Sequence, residues 1–284
     1  MTETSLDPLQ EALRKIDIEN EKKQSEHEKL RSTESYRAEI ARLDACLHTF
    51  IGTLKLCMFA ATRHDLLAHH SFFLRMLDEF GASAISASFS IREGTINSAR
   101  RELRYMLELA VQALYVDQNT GTATFDKRLL FFERNSNVKN SSVANIRDLS
   151  LVMLKEQQPV FHKYVVGAWA QATKYAHPTP QQITDNLALR ERGIAIGFES
   201  TDQLRECINE VFRAETIVIA LLFHALGPSF TGDLLVDCID DQDGWPFHSS
   251  EFIAKIDEYF DYKFERKEKL EIIKERRLSR LKIG

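Results

Sequence analysis

The chain has 284 residues, of which 44% are hydrophobic, and it carries a formal net charge of −5 at pH 7. A chain of this length and composition can bury a real core, and its charge excludes a protein that binds polyanions over its whole surface. Proline (6) and glycine (11) are too few for a turn-rich β protein. The four cysteines form no CxxC pair and no metal-ligand spacing, which indicates reduced thiols in a cytosolic protein.

The first thirty residues predict a charged helix. Their polar, acidic start is unlike a signal peptide, and no apolar run approaches the ~20 residues that span a bilayer. We therefore expect a cytoplasmic protein with no membrane partner. Leu9, Leu13 and Ile16 form a short apolar seam, which is followed by residues of mixed charge. We interpret residues 1–32 as a solvated helical arm; the alternative is a short coiled coil that pairs two subunits.

From about residue 33 to about residue 117, apolar residues recur mostly at helical spacing. It predicts a helix from about Thr33 to Ala61. The following segment, from Leu66 to Ile91, is apolar nearly all round, and such a helix is expected to be central, with neighbours packed close. The next helix, capped by Thr95 or Asn97, is predicted to run to about Asp117.

The middle of the chain predicts shorter elements. We expect a helix over residues 125–134 and another over residues 142–156. Pro159 is suited to the first turn of a further helix, which the prolines that follow His177 should end. Residues 181–198 predict no clear element; within them, residues 195–198 are either a short extended piece or a lid over a cleft.

The last third of the chain begins with a sequence signal for a helix N-terminus. Ser200 and Gln203 have the spacing of a capping box at the beginning of a long apolar helix. Gly227-Pro228 is predicted to end that helix. A loop with a cluster of aspartates should fill residues 229–249, and a last helix with a charged tail should begin near Ser250.

These elements predict an all-α protein without internal repeats or a domain linker. We expect an up-down bundle of four to six long helices over residues 33–248. An extra helix is expected at each terminus, over residues 1–32 and residues 249–284.

The helix that starts near residue 95 carries the most informative side chains. At 100° per residue its apolar stripe centres on Leu103, while Arg100, Arg104, Glu108 and Tyr115 line up on one flank. Arg104 and Glu108 are four residues apart, so their side chains meet. A charge at the border of a core either reaches solvent or lines a pocket. The pair is therefore a structural clamp or part of a site.

His177 is the second candidate, because it stands where a predicted helix ends. A histidine at a helix C-terminus can simply complement the negative end of the helix dipole. It is also the side chain that most readily exchanges protons near neutral pH. Both interpretations remain open at the level of sequence.

Metal and nucleotide motifs are absent from the sequence. His64, His69 and His70 do not share a helical face and form no HExxH motif. The aspartates of residues 237–243 fail the spacing of a calcium loop. There is no phosphate-binding glycine loop and no Gly-x-Ser-x-Gly turn. We expect neither a metal nor another cofactor.

Arg104-x-x-x-Glu108, in a long apolar helix that ends in Tyr115, precedes Tyr175-x-His177-Pro178. This combination resembles a group of bacterial helical proteins of unknown function that is similar to the HEPN superfamily. The resemblance covers about residues 66–226. It implies a helical bundle, often dimeric, of a superfamily that contains metal-independent endoribonucleases of toxin–antitoxin or antiviral systems. Other members bind RNA or nucleotide without cutting it.

The resemblance also implies roles for single residues. In a ribonuclease, His177 would act as acid and base, Arg104 would hold the scissile phosphate and Glu108 would orient Arg104. The superfamily's Arg-x(4–6)-His signature would fall on Arg63 with His69 or His70, a spacing that this composition also produces by chance. The further binding residues that we expect are Arg100, Tyr115, Tyr175, Arg63 and His69.

Three functions are compatible with these patterns. The chain is a HEPN-like ribonuclease, a non-catalytic module that binds RNA or nucleotide, or a scaffold that acts through its charged terminal helices. The partners that we expect are RNA or a nucleotide, together with a second copy of the chain or another protein.

Overall fold

The computed structural model describes residues 8–136, 142–175, 183–184, 187–188 and 197–282. Within these ranges the chain forms helices and turns and no β-strand, so the predicted all-α class is confirmed. The α-helices described are, in chain order, α1 (Pro8–Arg31), α2 (Glu34–Ala61), α3 (Asp65–His70), α4 (Phe72–Arg75), α5 (Leu77–Arg92), α6 (Ile96–Thr120), α7 (Phe125–Ser136), α8 (Gln158–Thr173), α9 (Thr201–Asp233), α10 (Glu251–Glu258) and α11 (Leu270–Leu281).

The core lies between five of these helices. Helix α6 packs against α5, α8 and α9, and α2 packs against α5 and α9. Helix α9 is buried on nearly every side from Ala214 to Phe223, because its sequence is apolar all round in that stretch. Large aromatic side chains fill the space between the helices; Phe50, Phe80, Phe161 and Phe223 are fully buried.

Three predicted helix starts are confirmed by their caps. The Ser200 hydroxyl accepts a hydrogen bond from the Gln203 amide, and the Gln203 side chain accepts one from the Ser200 amide, which completes the capping box. Thr33 and Ser250 cap α2 and α10 in the same manner, each accepting from a backbone amide three residues later.

The expected single helix over residues 66–91 is wrong, because the segment is divided into α3, α4 and α5. Asp117 of α6 accepts hydrogen bonds from the Ser71 hydroxyl (2.7 Å) and from the amides of Phe72 (2.7 Å) and Phe73 (3.0 Å). A carboxylate that satisfies these amides starts a new helix at this point. Asp117 also forms an ion pair with Arg128 of α7.

The segment is also less enclosed than its composition predicts. One face of α5 is open to solvent, and Ile85 and Phe89 on it are 39% and 65% exposed. The opposite face, which includes Phe80, Ala84 and Ala87, is buried.

The predicted helix over residues 142–156 is replaced by two short 3-10 segments, Ser142–Asp148 and Val152–Gln157. The second contains Lys155 at a positive φ of 48°, which an α-helix does not accommodate. Pro159 lies in the first turn of α8, as predicted.

Gly227-Pro228 bends α9 instead of ending it. Gly227 has φ 79° and ψ 165°, outside the helical region, yet the helix continues to Asp233. The Thr231 hydroxyl donates to the carbonyl of Phe223 (2.7 Å), which the bend would otherwise leave without its helical partner. The predicted loop over residues 229–249 is therefore wrong in its first part, which remains helical through Ile239.

The predicted last helix consists of α10 and α11, joined by turns and a 3-10 segment at Phe264–Arg266. Arginines from this region neutralise the aspartates that fail the calcium spacing. The three ion pairs are Arg266–Asp240, Arg276–Asp241 and Arg280–Asp243. Arg266, only 1% exposed, also pairs with Asp257 of α10. The C-terminal segment is thus held on the body of the protein by the buried pairs of Arg266 and by two further pairs whose aspartates, Asp241 and Asp243, are exposed.

Among the described residues, two segments are long and apolar enough to cross a membrane, by length and composition alone. They are Glu34–Ala61 and Thr201–Ile239, with mean hydropathies of 1.3 and 1.5. A helix in the core of a protein meets the same criteria, and 61% of the apolar window of the second segment is buried. The absence of a membrane partner stays a prediction.

Glu215 of α9 is fully buried, and neither of its carboxylate oxygens has a hydrogen-bond partner among the described residues. Burial raises its pKa well above the ordinary value of 4.5. As pH rises above 4.5, the unfolded chain therefore loses this proton before the native protein does. The free energy of unfolding should then fall by up to ~1.4 kcal/mol per pH unit until the native pKa is reached.

We expect Glu215→Gln to remove this component of the pH dependence, whereas Glu206→Gln, on the exposed side of α9, should leave it in place. Urea denaturation of the three proteins between about pH 5 and pH 8 measures the difference. Equal pH slopes for Glu215→Gln and the wild type would show that Glu215 is not protonated in the native state.

Candidate functional site

The charged flank of α6 faces α8 and α9. Arg104 Nε donates to Glu108 Oε1 at 2.8 Å, and the indole Nε1 of Trp169 on α8 donates to the same oxygen at 2.7 Å. The guanidinium carbon of Arg104 lies 5.7 Å from the centroid of the Trp169 ring. The Arg104 and Glu108 side chains are 23% and 25% exposed. The pair is therefore half-buried and linked to a second helix.

One turn earlier, Arg100 connects α6 to α9. Its Nε and Nη2 donate to the two carboxylate oxygens of Glu210 at 2.7 and 2.9 Å, a bidentate ion pair. The guanidinium carbon lies 3.9 Å from the centroid of the Tyr175 ring, which follows α8. Burial acts to lower the pKa of Arg100, but the Glu210 carboxylate outweighs it and the pKa is raised. Arg100 is thus a fixed cation between three elements.

A third arginine lies against another aromatic ring of α8. The guanidinium of Arg213 on α9 lies 5.2 Å from the ring centroid of Tyr164 on α8. Arg213 is exposed, and no carboxylate of the described residues lies within ion-pair distance of it. We call the surface formed by these six side chains the arginine–aromatic face; its members are Arg100, Arg104, Arg213, Tyr164, Trp169 and Tyr175.

A narrow groove runs between α6, α8 and α9 beside this face. Its polar lining consists of Gln171, Glu210 and Arg213, and its floor is formed by apolar side chains that include Leu103 and Leu107. The groove holds about 10 Å³, enough for about one water molecule. A ligand as large as a nucleotide must therefore bind across the face and not inside the groove.

The structure brings together four of the residues that the sequence singled out, namely Arg100, Arg104, Glu108 and Tyr175. Tyr115 lies nearer the end of α6 and packs on Phe131 of α7, with ring centroids 6.1 Å apart. Arg63 and His69 are exposed in the turn after α2 and on α3, which packs against α2 and α4. These three residues are not part of the arginine–aromatic face.

His177, the proposed acid and base, lies outside the described residues, as does Pro178. Within the ranges that the structure describes, no three His, Cys, Asp or Glu side chains are grouped so that they could hold a metal ion. Arg104 and Glu108 have a geometry that could orient a phosphate ligand, but the proton-transfer role of His177 stays a prediction.

The chain was also compared with protein-family models, with curated proteins and with solved structures. Nothing matches. The relation to the HEPN superfamily therefore stays an expectation from short motifs. The function must be argued from the geometry of the face.

Sequence reasoning missed four residues of the site, namely Tyr164, Trp169, Glu210 and Arg213. Trp169 stands between Tyr164 and Tyr175 on one predicted helix, and this spacing of aromatics was the available signal. Glu210 and Arg213 lie at the border of the apolar stripe of α9, where periodicity shows that they flank a core. It does not show which other helix they meet.

A larger cavity than this groove, of about 430 Å³, lies elsewhere in the protein. It opens between the end of α6, the turn at residues 148–153 and the bend of α9, and His224 is part of its lining. Burial lowers the pKa of His224 to about 4, so the ring is neutral near pH 7. The side-chain amide of Gln118, which also lines the cavity, donates a hydrogen bond to the Ser150 carbonyl and accepts one from the Ser150 backbone N–H. The cavity contains none of the predicted site residues.

The two acidic side chains of the site should differ in their contribution to stability. Glu210→Ala leaves the buried Arg100 without its carboxylate and should lower the free energy of unfolding by about 2–4 kcal/mol. Glu108→Ala removes a half-exposed partner, and about 1 kcal/mol should be lost. Chemical denaturation measures both values, with the exposed Glu206→Ala as a control that should change stability by less than about 0.5 kcal/mol. Equal losses at the two sites would contradict the assignment of Arg100 as the buried cation.

Proposed function

We propose that this chain is a HEPN-like cytoplasmic protein, built on an up-down helical bundle, that binds RNA across the arginine–aromatic face. The observation that supports the proposal is that three arginines lie against three aromatic side chains on α8 or just after it, and that one of them, Arg213, is exposed with no described carboxylate within ion-pair distance. Such a face offers both of the chemical groups that a single-stranded RNA requires.

Phosphate groups of RNA are bound by guanidinium groups through paired hydrogen bonds. Unstacked bases pack on aromatic rings and on the planes of arginine side chains. Carboxylates offset the charges of Arg100 and Arg104, so Arg213 is the cation that a phosphate would meet first. Because the adjacent groove holds about one water molecule, the face suits a strand lying across it better than a single nucleotide in a pocket.

The proposal extends to a metal-independent endoribonuclease of a bacterial defence or toxin–antitoxin type. In this reaction the 2′-hydroxyl of RNA attacks the adjacent phosphorus, and His177 takes the hydroxyl proton and returns a proton to the leaving 5′-oxygen. Arg104 would hold the phosphate that is cleaved. The 2.8 Å contact from Glu108 to Arg104 supports an orienting role for Glu108.

RNA binding is tested by fluorescence anisotropy with a labelled single-stranded RNA. We expect Arg213→Gln to weaken binding by about tenfold and to lower the slope of log affinity against log salt by about one, because one phosphate contact is lost. The control is Arg37→Gln, which removes an exposed arginine from α2. No binding by the wild type, or equal losses in the two variants, would contradict a site at this face.

Cleavage is tested by incubating the protein with RNA in EDTA and analysing the product ends. The wild type should yield 2′,3′-cyclic phosphate and 5′-hydroxyl ends, and His177→Ala should reduce the rate by about 10²–10⁴-fold. His48→Ala, an exposed histidine on α2, is the matched control. A wild-type protein that binds RNA but leaves it intact would exclude the ribonuclease and retain the binding function.

A further inference from the structure

Helix α1 differs from every other long helix of the described chain, because none of its 24 residues is buried. Among the described residues, the side-chain contacts of α1 with the body of the protein come from its last turns. The His27 ring packs edge-on against Phe198, with centroids 5.3 Å apart, and Arg31 bonds to Glu199 and to the carbonyl of Arg92. Residues 8–22 are exposed throughout.

The exposed part of α1 carries an apolar seam with coiled-coil spacing. Leu9, Leu13 and Ile16 are 65%, 51% and 53% exposed. These three residues and Asn20 follow one another at steps of four, three and four positions. They therefore occupy successive d, a, d and a positions of a heptad repeat. The same stripe continues along α1 to His27, where the body of the protein covers it. One stripe is thus covered in its second half and open in its first.

Local interactions alone do not account for this helix. An isolated helix of about fifteen residues is marginal in water. The ion pairs Glu11–Lys15 and Glu19–Lys23, both at 2.9 Å, support it, but exposed pairs of this kind contribute little. A partner that covers the seam would supply the missing stabilisation.

We propose that the first half of α1 pairs with the same segment of a second copy, as a short parallel coiled coil. An asparagine at an a position pairs with its counterpart when two helices are parallel and in register. In that arrangement the flanking contacts would join Ala12 to the partner's Asp17, and Glu19 to the partner's Gln24. None of these contacts brings like charges together. An antiparallel pair with the same seam would instead place Asn20 against the partner's Leu9, and the asparagine would lose its polar counterpart, which opposes that arrangement.

The seam also indicates how strong the pairing is. It is about two heptads long, so the area that it can bury is much less than the ~800 Å² per partner of a standard interface. The dimer should therefore be weak and reversible, and its formation should depend on the protein concentration. Because the seam and the arginine–aromatic face have no residue in common, this proposal does not depend on RNA binding.

Sedimentation velocity of the full chain, from about 1 to about 200 µM, tests the proposal. The wild type should change from monomer to dimer across this range. Leu13→Asp places a charge in the seam and should remain a monomer throughout. The control, Arg14→Asp, introduces the same side chain one position outside the seam and should dimerise.

Asn20→Leu tests the parallel register. Replacing the polar a position should tighten self-association by at least about tenfold and permit species larger than a dimer. Circular dichroism should show that all variants remain folded, since the substituted positions are exposed. A wild type that stays monomeric at about 200 µM, a dimer that survives Leu13→Asp, or an Asn20→Leu variant with unchanged association would overturn the proposal.

Discussion

A charge at the border of a protein core needs a partner, because an unpaired buried charge is strongly destabilising. Helix α6 meets this requirement through polar contacts to α4, α7, α8 and α9. Arg100 is paired with Glu210 of α9, Glu108 holds Arg104 and the indole of Trp169 on α8, and Asp117 connects the start of α4 to Arg128 of α7. The position of the surrounding helices therefore depends on the charged flank of α6 as well as on its apolar stripe.

The same pairing shapes the candidate site. Arg100 and Arg104 are held in place before any ligand arrives, which reduces the entropy lost on binding. Their carboxylate partners also weaken the positive field that they present. Arg213 differs from both, since it lies against a ring without a described carboxylate beside it. A face with fixed planar groups and one exposed cation suits a ligand that carries both negative charge and flat rings.

The sequence was informative wherever a signal is local. The capping box of Ser200 and the charged flank of α6 both follow from residues within a few turns of one another. The break before α4 did not, because the carboxylate that causes it is Asp117, more than forty positions away. Gly227-Pro228 is a local sequence signal for the end of a helix. The helix continues past it because the Thr231 hydroxyl donates to the Phe223 carbonyl that the bend exposes. In the site, likewise, Arg104–Glu108 could be predicted, whereas the contact between Arg100 and Glu210 requires knowing which helices are neighbours.

The ion pairs of the C-terminal segment give the two ends of the chain different tolerance to truncation. The residues before 22 that the structure describes, 8–21, all have exposed side chains, so shortening the chain through them removes no buried group. Removing residues from 265 onward would take away Arg266 and Arg277, and with them the cations that neutralise Asp257 and Asp261 inside the fold. The first deletion removes part of an exposed arm. The second leaves the carboxylates of Asp257 and Asp261 without these cations, and their mutual repulsion would destabilise the domain itself.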